Sequence, residues 1–466
     1  MKIKNNNSRR DFLKTSSLAA AGFFIVPRHV LGRGYVAPSD KLNIAGIGAG
    51  GKGESDLFEF SKSPNANISY LCDVDDRQIK KSLSRFPKAI RYYDFREMLE
   101  KEHKSIDAVS VSTPDNCHAV AAVAAMQLGK HVYVQKPLTH DIYEARLLTE
   151  YAKRYKVVTQ MGNQGSSGDG VRTMQEWYRS GIIGDATEIK VWTNRPVWPQ
   201  GTGTPKSSDP VPPELKWDLW LGPAKEEPYH KEYVPFSWRG FWAFGTGALG
   251  DMGCHLIDPA FKTTGLLYPS EVECSQVSIF EKMWTPDYFP ESCPAASSVI
   301  LNFPGTDGKP NVKLHWMDGG IVPERPEELG ADEQFGGNDG GVLIIGTKGK
   351  MMCGTYGSNP QLLPISKTKE VNIPQTIARV PEGHYVQWVN ACLAGYGRKE
   401  VSSPFEYAGP LTETILMGNL ALRASNIKKG TGFPGRKKLL WDAVNMKITN
   451  FDEANQFVKR EYRAGW

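Results

Sequence analysis

One short glycine-rich stretch constrains this chain more than any other. In "KLNIAGIGAGGKGESDLFEF", residues 41–60, Leu42, Ile44, Ala45 and Ile47 read as a buried strand, and "ESDLFEF" resumes with helical spacing. Gly48, Gly50 and Gly53 between them form G-x-G-x-x-G, and the strand-to-helix context gives that pattern meaning. The first glycine turns the chain, the second lets a pyrophosphate approach bare backbone, and the third lets helix and strand pack closely. The helix N-terminus then offers free N–H groups and the positive end of its dipole. A frame on Gly46, Gly48 and Gly51 also matches but cuts the strand short. Twenty residues past Gly53, Asp73 opens the acidic run "DVDD" behind a second apolar stretch, "NISYL". A turn accounts for such a cluster. A carboxylate at that strand end also accepts hydrogen bonds from ribose hydroxyls and repels a 2′-phosphate, which implies NAD.

The 466 residues are enough for two domains. From 42 to about 160, the strand-like runs "KLNIAGI", "NISYLC", "DAVSVST", "KHVYVQ" and "KVVTQMG" alternate with helical stretches. The expected fold class is α/β: a Rossmann doubly wound parallel sheet over 41–165. After the helical "VRTMQEWYRSGIIG" come "ATEIKVWTN", "EVECSQVSIF", "SSVILNF", "NVKLHW" and "GVLIIGTKGKMMC" with few helices between them. They predict an α+β domain with a large, mostly antiparallel open sheet over 166–445, followed by a tail, 446–466. Two late helices, "HYVQWVNACLAG" and "LTETILMGNLALRA", carry apolar residues on one face. Pro/Gly-rich loops at 195–237 and 318–340 are long enough to be covers or interface arms.

The net charge of +5 is small and dispersed, which excludes a nucleic-acid stripe. Seven cysteines without a C-x-x-C pair fit neither a zinc knuckle nor a complete disulfide framework, and read as buried small hydrophobes. At the N-terminus, Ser8, Arg9, Arg10, Phe12, Leu13 and Lys14 precede "LAAAGFFIV", an apolar run too short to span a bilayer. The combination resembles a twin-arginine export signal over 1–33, and implies the export machinery as a partner and a periplasmic location, by cleavage or anchoring. An amphipathic N-terminal helix is the alternative.

Three further segments carry groups suited to chemistry. "STPDNCH", 112–118, follows a strand, so Thr113, Pro114 and Asn116 lie where a doubly wound sheet opens its dinucleotide crevice. A proline turn with a helix cap explains the same residues. "YVQKPLTH" sets Lys136 before Pro137 at another strand end, a surface turn in most contexts but here directed over the crevice. In "GALGDMGCHLIDPAF", Asp251, His255 and Asp258 share one helical face, as a proton-transfer pair, as metal ligands, or as a helix start with a satisfied core histidine.

Together the glycine loop with Asp73, the Thr-Pro turn closed by His118, Lys136-Pro137 and "GDMGCHLID" resemble the Gfo/Idh/MocA family of nicotinamide-dependent oxidoreductases over roughly 41–445. The resemblance implies catalysis by Lys136, Asp251 and His255 without a metal, on a sugar or cyclitol. It also implies cofactor contacts from His118 and from Gln160 and Asn163 after the Rossmann sheet, and assembly as a dimer or tetramer. Many members have Glu-Lys-Pro where this chain has Gln135, a residue also placed at the cofactor. The implied reaction moves a hydride between a carbinol carbon and NAD, with His255 as base, Asp251 fixing its tautomer and Lys136 stabilising the oxygen. The alternative is a redox-neutral glycosidase with retained NAD, which suits a compartment poor in free cofactor. Trp192, Trp198, Trp217, Trp220, Tyr233 and Trp242 supply aromatic surface for a sugar face, with Trp238 and Arg239 the expected substrate contacts.

Overall fold

The computed structural model describes residues 41–466. The arginine pair and its apolar run lie outside the described residues.

The first sheet is built from β1 (Leu42–Ile47), β2 (Ala66–Cys72), β3 (Ile90–Tyr92), β4 (Ala108–Val111), β5 (His131–Val134) and β6 (Thr159–Met161). All pair in parallel in the order β3-β2-β1-β4-β5-β6, the doubly wound Rossmann arrangement with its switch between β1 and β4. Both faces are covered, so β4 is buried at every position, as parallel strands require. Connecting helices are α1 (Lys52–Ser61), α2 (Asp76–Arg85), α3 (Phe95–Glu102), α4 (His118–Gln127) and α5 (Ile142–Tyr155). Local chemistry sets their starts: Asp75 accepts the Arg77 N–H to cap α2, and Asp141 with Glu144 forms a capping box on α5. The short edge strand β3 was absent from the sequence reading. Three residues, one exposed and two half-buried, leave no periodicity to detect.

After α6 (Asp169–Arg179), β7 (Ala186–Thr193) begins the second sheet. A long excursion holding α7 (Trp217–Leu221) leads into α8 (Gly247–Thr264). The strands β8 (Glu271–Gln276), β9 (Ser297–Phe303), β10 (Val312–Met317), β11 (Gly340–Gly346), β12 (Lys350–Gly354) and β13 (Gln361–Leu363) follow. Then come α9 (Ser366–Glu370), α10 (Gly383–Ala394), α11 (Phe405–Ser425) and the hairpin β14 (Leu439–Asp442) and β15 (Lys447–Ile448). The nine strands run β13-β12-β11-β7-β10-β9-β8-β14-β15, antiparallel except for β7 against β10. The β14–β15 hairpin spans residue 445, so the second sheet continues into the segment expected to be a tail.

Between the two sheets, α8 and α11 pack into one continuous core that includes Trp316, Phe261 and Phe405. The loop 318–340 covers the far side of the second sheet, where Leu329 joins the buried Trp192 and Leu343 in a small core. The excursion after β7 carries its own aromatic core, in which the Trp217 and Trp220 rings stack at 4.7 Å. Among the described residues, no helix is long and apolar enough to cross a membrane. The seven cysteines are free thiols, and all but Cys274 are buried.

Candidate active site

A cavity of about 560 Å³ opens along the carboxyl ends of β1, β4 and β5 and is closed by α8 and the excursion after β7. Gly48, Gly50, Asp73, Thr113 and Pro114 line one wall, and Lys136, Trp238, Arg239, Asp251 and His255 line the other.

At the glycine loop, Gly48 has φ +74 and presses on the backbone of Ser112, where an added Cβ would meet the carbonyl oxygen at 2.6 Å. Gly53 does not face the cavity: a Cβ there would sit 1.8 Å from the Gly48 carbonyl oxygen, so this glycine permits the loop to close on its own helix. Gly51, which leads into α1, provides no side-chain cap and has open space beside its Cα. An uncapped helix N-terminus facing the cavity fits a diphosphate.

The three carboxylates behind β2 take separate tasks. Asp75 caps α2, Asp76 pairs with Arg91, and Asp73 reaches back to the loop. Its Oδ2 accepts the Gly50 N–H at 2.7 Å and its Oδ1 accepts that of Asp75 at 2.9 Å. Burial pushes the Asp73 carboxyl up to about 6 against the pull of those amides. The turn reading thus holds for Asp75, while Asp73 lines the cavity beside the glycine loop.

At the other wall, Lys136 Nζ donates to Asp251 Oδ1 at 2.6 Å and to the Asp251 carbonyl at 2.9 Å. Arg239 Nε lies 3.6 Å from the same carboxylate oxygen. Burial alone would raise the Asp251 carboxyl, but Lys136 and Arg239 hold it below its ordinary value. His255 is buried, with its ring edge-on to Tyr356 at 4.7 Å, and its Nδ1 has no hydrogen-bond partner among the described residues. Burial, then the Lys136 charge, push its pKa well down, so the imidazole is neutral. Asp251 does not hydrogen-bond His255, contrary to the expected pair. Lys136 enters between the strand ends and claims the carboxylate, so Asp251 positions the lysine. Asp258, the third member of the helical face, turns away to Asn163 Nδ2 and Tyr407.

Several expected cofactor contacts lie elsewhere. Asn116 is buried and donates to the Leu221 carbonyl at 2.8 Å, tying the α4 turn to α7. Gln160 spends its amide on the His384 carbonyl and the Ser402 N–H, and Asn163 is committed to Asp258. None of these three lines the cavity: Gln160 lies within β6, and all three amides are engaged by neighbours outside it; Gln164 lines it instead. His118 lies between the carbonyls of Pro137, 2.8 Å from Nδ1, and Thr113, 2.9 Å from Nε2, and so pins the Lys136-Pro137 turn to the Thr113-Pro114 turn. Gln135 reaches the cavity wall but donates to the buried Asp56 at 2.8 Å. Of the aromatic residues proposed for a sugar face, Trp220 and Trp238 line the cavity. Trp192, Trp198, Tyr233 and Trp242 are buried, and Trp217 packs half-buried against Trp220.

Residues missed by sequence reasoning include Lys52, paired with Asp56 at 2.6 Å, Arg195 just past β7, Tyr356 at a left-handed φ of 66, and Trp466. Lys52 sits inside the glycine motif and was visible there. The other three reach the cavity only through tertiary folding, which no local pattern encodes.

Comparison with known proteins accords with this geometry. Residues 42–163 match "Oxidoreductase family, NAD-binding Rossmann fold" of the Gfo/Idh/MocA family, and residues 171–274 match its "C-terminal alpha/beta domain". A glycosyl hydrolase family 109 protein of Shewanella pealeana is 27% identical over 202 residues, 38% of this chain and 44% of that protein. The aligned stretch thus spans less than half of that relative. The same overall fold occurs in the WlbA dehydrogenase of Bordetella pertussis, solved with NADH and UDP-GlcNAcA, at TM-score 0.54 and 15% identity, covering 81% of this chain and 95% of that one. It occurs also in levoglucosan dehydrogenase with NADH, at TM-score 0.54 and 15% identity, covering 83% and 98%. The glycine loop over an uncapped helix, the acid closing the second strand and the consecutive family matches over 42–163 and 171–274 lead to one assignment: this chain belongs to the Gfo/Idh/MocA family of oxidoreductases, with an NAD-binding Rossmann domain.

Proposed function

We propose that the protein transfers hydride between NAD and a hydroxyl-bearing carbon of a sugar, glycoside or cyclitol. The observation that supports this most directly is the placement of Lys136, Asp251 and His255 on the wall of the cavity whose far end is the glycine loop. When bound, the nicotinamide supplies the hydride acceptor. The neutral imidazole of His255 takes the hydroxyl proton. The Lys136 ammonium, held by Asp251 at 2.6 Å, hydrogen-bonds the same oxygen and stabilises its developing negative charge. Trp238 offers an apolar face to the ring. The test is absorbance at 340 nm with NAD and a panel of sugars. Lys136→Ala and His255→Ala should each lower the signal by about 10²–10⁴-fold while NAD still binds, and indifference to both would sink the assignment.

A second reading is favoured by the glycosyl hydrolase family 109 relatives: redox-neutral glycoside cleavage, in which oxidation, elimination, hydration and reduction leave the cofactor unchanged overall. Incubation with aryl glycosides and no added cofactor separates the two. Repeated aglycone release supports this second reading, and one equivalent of ketosugar per protein supports the first.

We also infer export by the twin-arginine route, on the strength of Ser8 to Lys14, and assembly into dimers or tetramers. Arg9→Lys with Arg10→Lys should retain the protein in the cytoplasm, and light scattering reads the assembly.

A further inference from the structure

The charges at the catalytic end of the cavity do not balance. Lys136, Arg195 and Arg239 converge there with the carboxylates of Asp251 and Asp115. Asp251 is satisfied by Lys136 at 2.6 Å and approached by Arg239 at 3.6 Å. Asp115 is buried and accepts the Thr246 hydroxyl at 2.6 Å, and burial raises its pKa, which favours the neutral acid. One ionised carboxylate thus faces three cations, and Arg195 is the one it does not pair. Among the described residues it makes no ion pair, and its Nε is buried without a hydrogen-bond partner.

The position of Arg195 is fixed. It follows the end of β7 by two residues, its amide donates to Thr193 Oγ1 at 3.3 Å, and its carbonyl accepts the Gly319 N–H at 2.6 Å. The loop starting at 318 therefore braces it from behind. A guanidinium keeps its charge under all physiological conditions, and leaving one partly buried and unanswered is costly. A sugar hydroxyl accepts one of its hydrogen bonds. A carboxylate or sulfate accepts two in the fork geometry and brings the missing charge.

We propose that Arg195 anchors an anionic substituent of the substrate, which makes the substrate an acidic sugar bearing a carboxylate or a sulfate. This rests on the sugar-oxidoreductase reading and narrows it. The diphosphate of NAD is the competing anion, but the glycine loop on the Rossmann side would hold it, whereas Arg195 belongs to the second domain near His255, whose pKa is lowered first by burial and in part by the Arg195 charge.

Isothermal titration of the full-length, NAD-saturated protein with methyl β-D-glucuronide, galactose 6-sulfate and methyl β-D-glucoside tests it. At least one acidic sugar should bind ten-fold or more tightly than the glucoside, and which one does so distinguishes carboxylate from sulfate. Arg195→Gln should erase that preference and leave NAD affinity unchanged, and Arg195→Lys should restore part of it, provided thermal melting shows both variants folded. Equal binding of all three sugars, binding of none, or loss of NAD affinity in Arg195→Gln with the sugar preference intact would overturn the assignment. The wider reading is judged separately: neutral sugars that reduce NAD as well as acidic ones do would sustain it while removing the role of Arg195.

Discussion

Gln135 Nε2 donates to Asp56 Oδ2 across 2.8 Å, at a carboxylate with no exposure to solvent. Asp56 also accepts the Lys52 ammonium at 2.6 Å, the Ser112 hydroxyl at 2.8 Å and the Tyr385 hydroxyl at 3.2 Å. The amide in place of the glutamate common at this position is thus matched to a buried acid beneath the glycine loop. Lysine 136 takes its orientation from Asp251.

Gln135→Glu would set two carboxylates against each other in that pocket. One of them must protonate, or the pair costs about 1–3 kcal/mol. A glutamate whose folded pKa is raised carries its penalty above its unfolded value and loses it as pH falls. The melting temperature should therefore fall below that of the wild-type protein by several degrees at pH 8, with the gap narrowing at pH 5. Scanning fluorimetry at both pH values reads the difference; equal melting at pH 8 would contradict the account.

Burial disfavours the charge of Asp73 and pushes its carboxyl up to about 6. Only the ionised carboxylate accepts hydrogen bonds from both the loop amides and a ribose. NAD affinity should level off above about pH 7, halve near the midpoint and weaken below it by up to about tenfold per pH unit. Asp73→Asn should bind NAD weakly at every pH, which fluorescence titration measures.

His255 is neutral because burial, reinforced by the Lys136 charge, pushes its pKa down. At saturating NAD and sugar, kcat should show no acid limb in the usual histidine range near 6.5. Lys136→Ala should lower turnover by about 10²–10⁴-fold and move the residual acid limb to higher pH. A pH–rate profile of both proteins decides it, and a limb that fails to move would detach the two residues.

Gly53→Ala places a methyl group 1.8 Å from the Gly48 carbonyl oxygen. Overpacking of this kind costs about 1–3 kcal/mol, and the loop must open to relieve it. NAD binding should be lost before folding is. Calorimetric titration alongside a melting curve separates the two effects.

Sequence legibility followed the range of the physics. The glycine loop, Asp73 and the parallel sheet are written in local spacing, because strand, turn and helix N-terminus are consecutive. Lys136, Asp251 and His255 could be named from their motifs, but their wiring could not. A helical face places Asp251 and His255 together, yet a lysine from 115 positions away takes the carboxylate. Gln160 lies within β6 and Asn163 just after it, and neighbours from α8, α10 and the loop after it absorb their amides. Arg195 carries no local signal at all. Its significance lies in the absence of a partner, which appears only when every other charge nearby has been assigned.

The final residues of the second half return to the first. Arg460 and Tyr462 bond Glu144 at 2.7 and 2.6 Å, and Trp466 lies 6.1 Å from Phe95, with the Arg96 guanidinium over its ring at 4.1 Å, at the nucleotide end of the cavity. A ribosome that has delivered the whole parallel sheet has still not delivered this wall. A variant lacking residues 460–466 should therefore keep its parallel sheet and yet hold NAD more loosely than the intact protein.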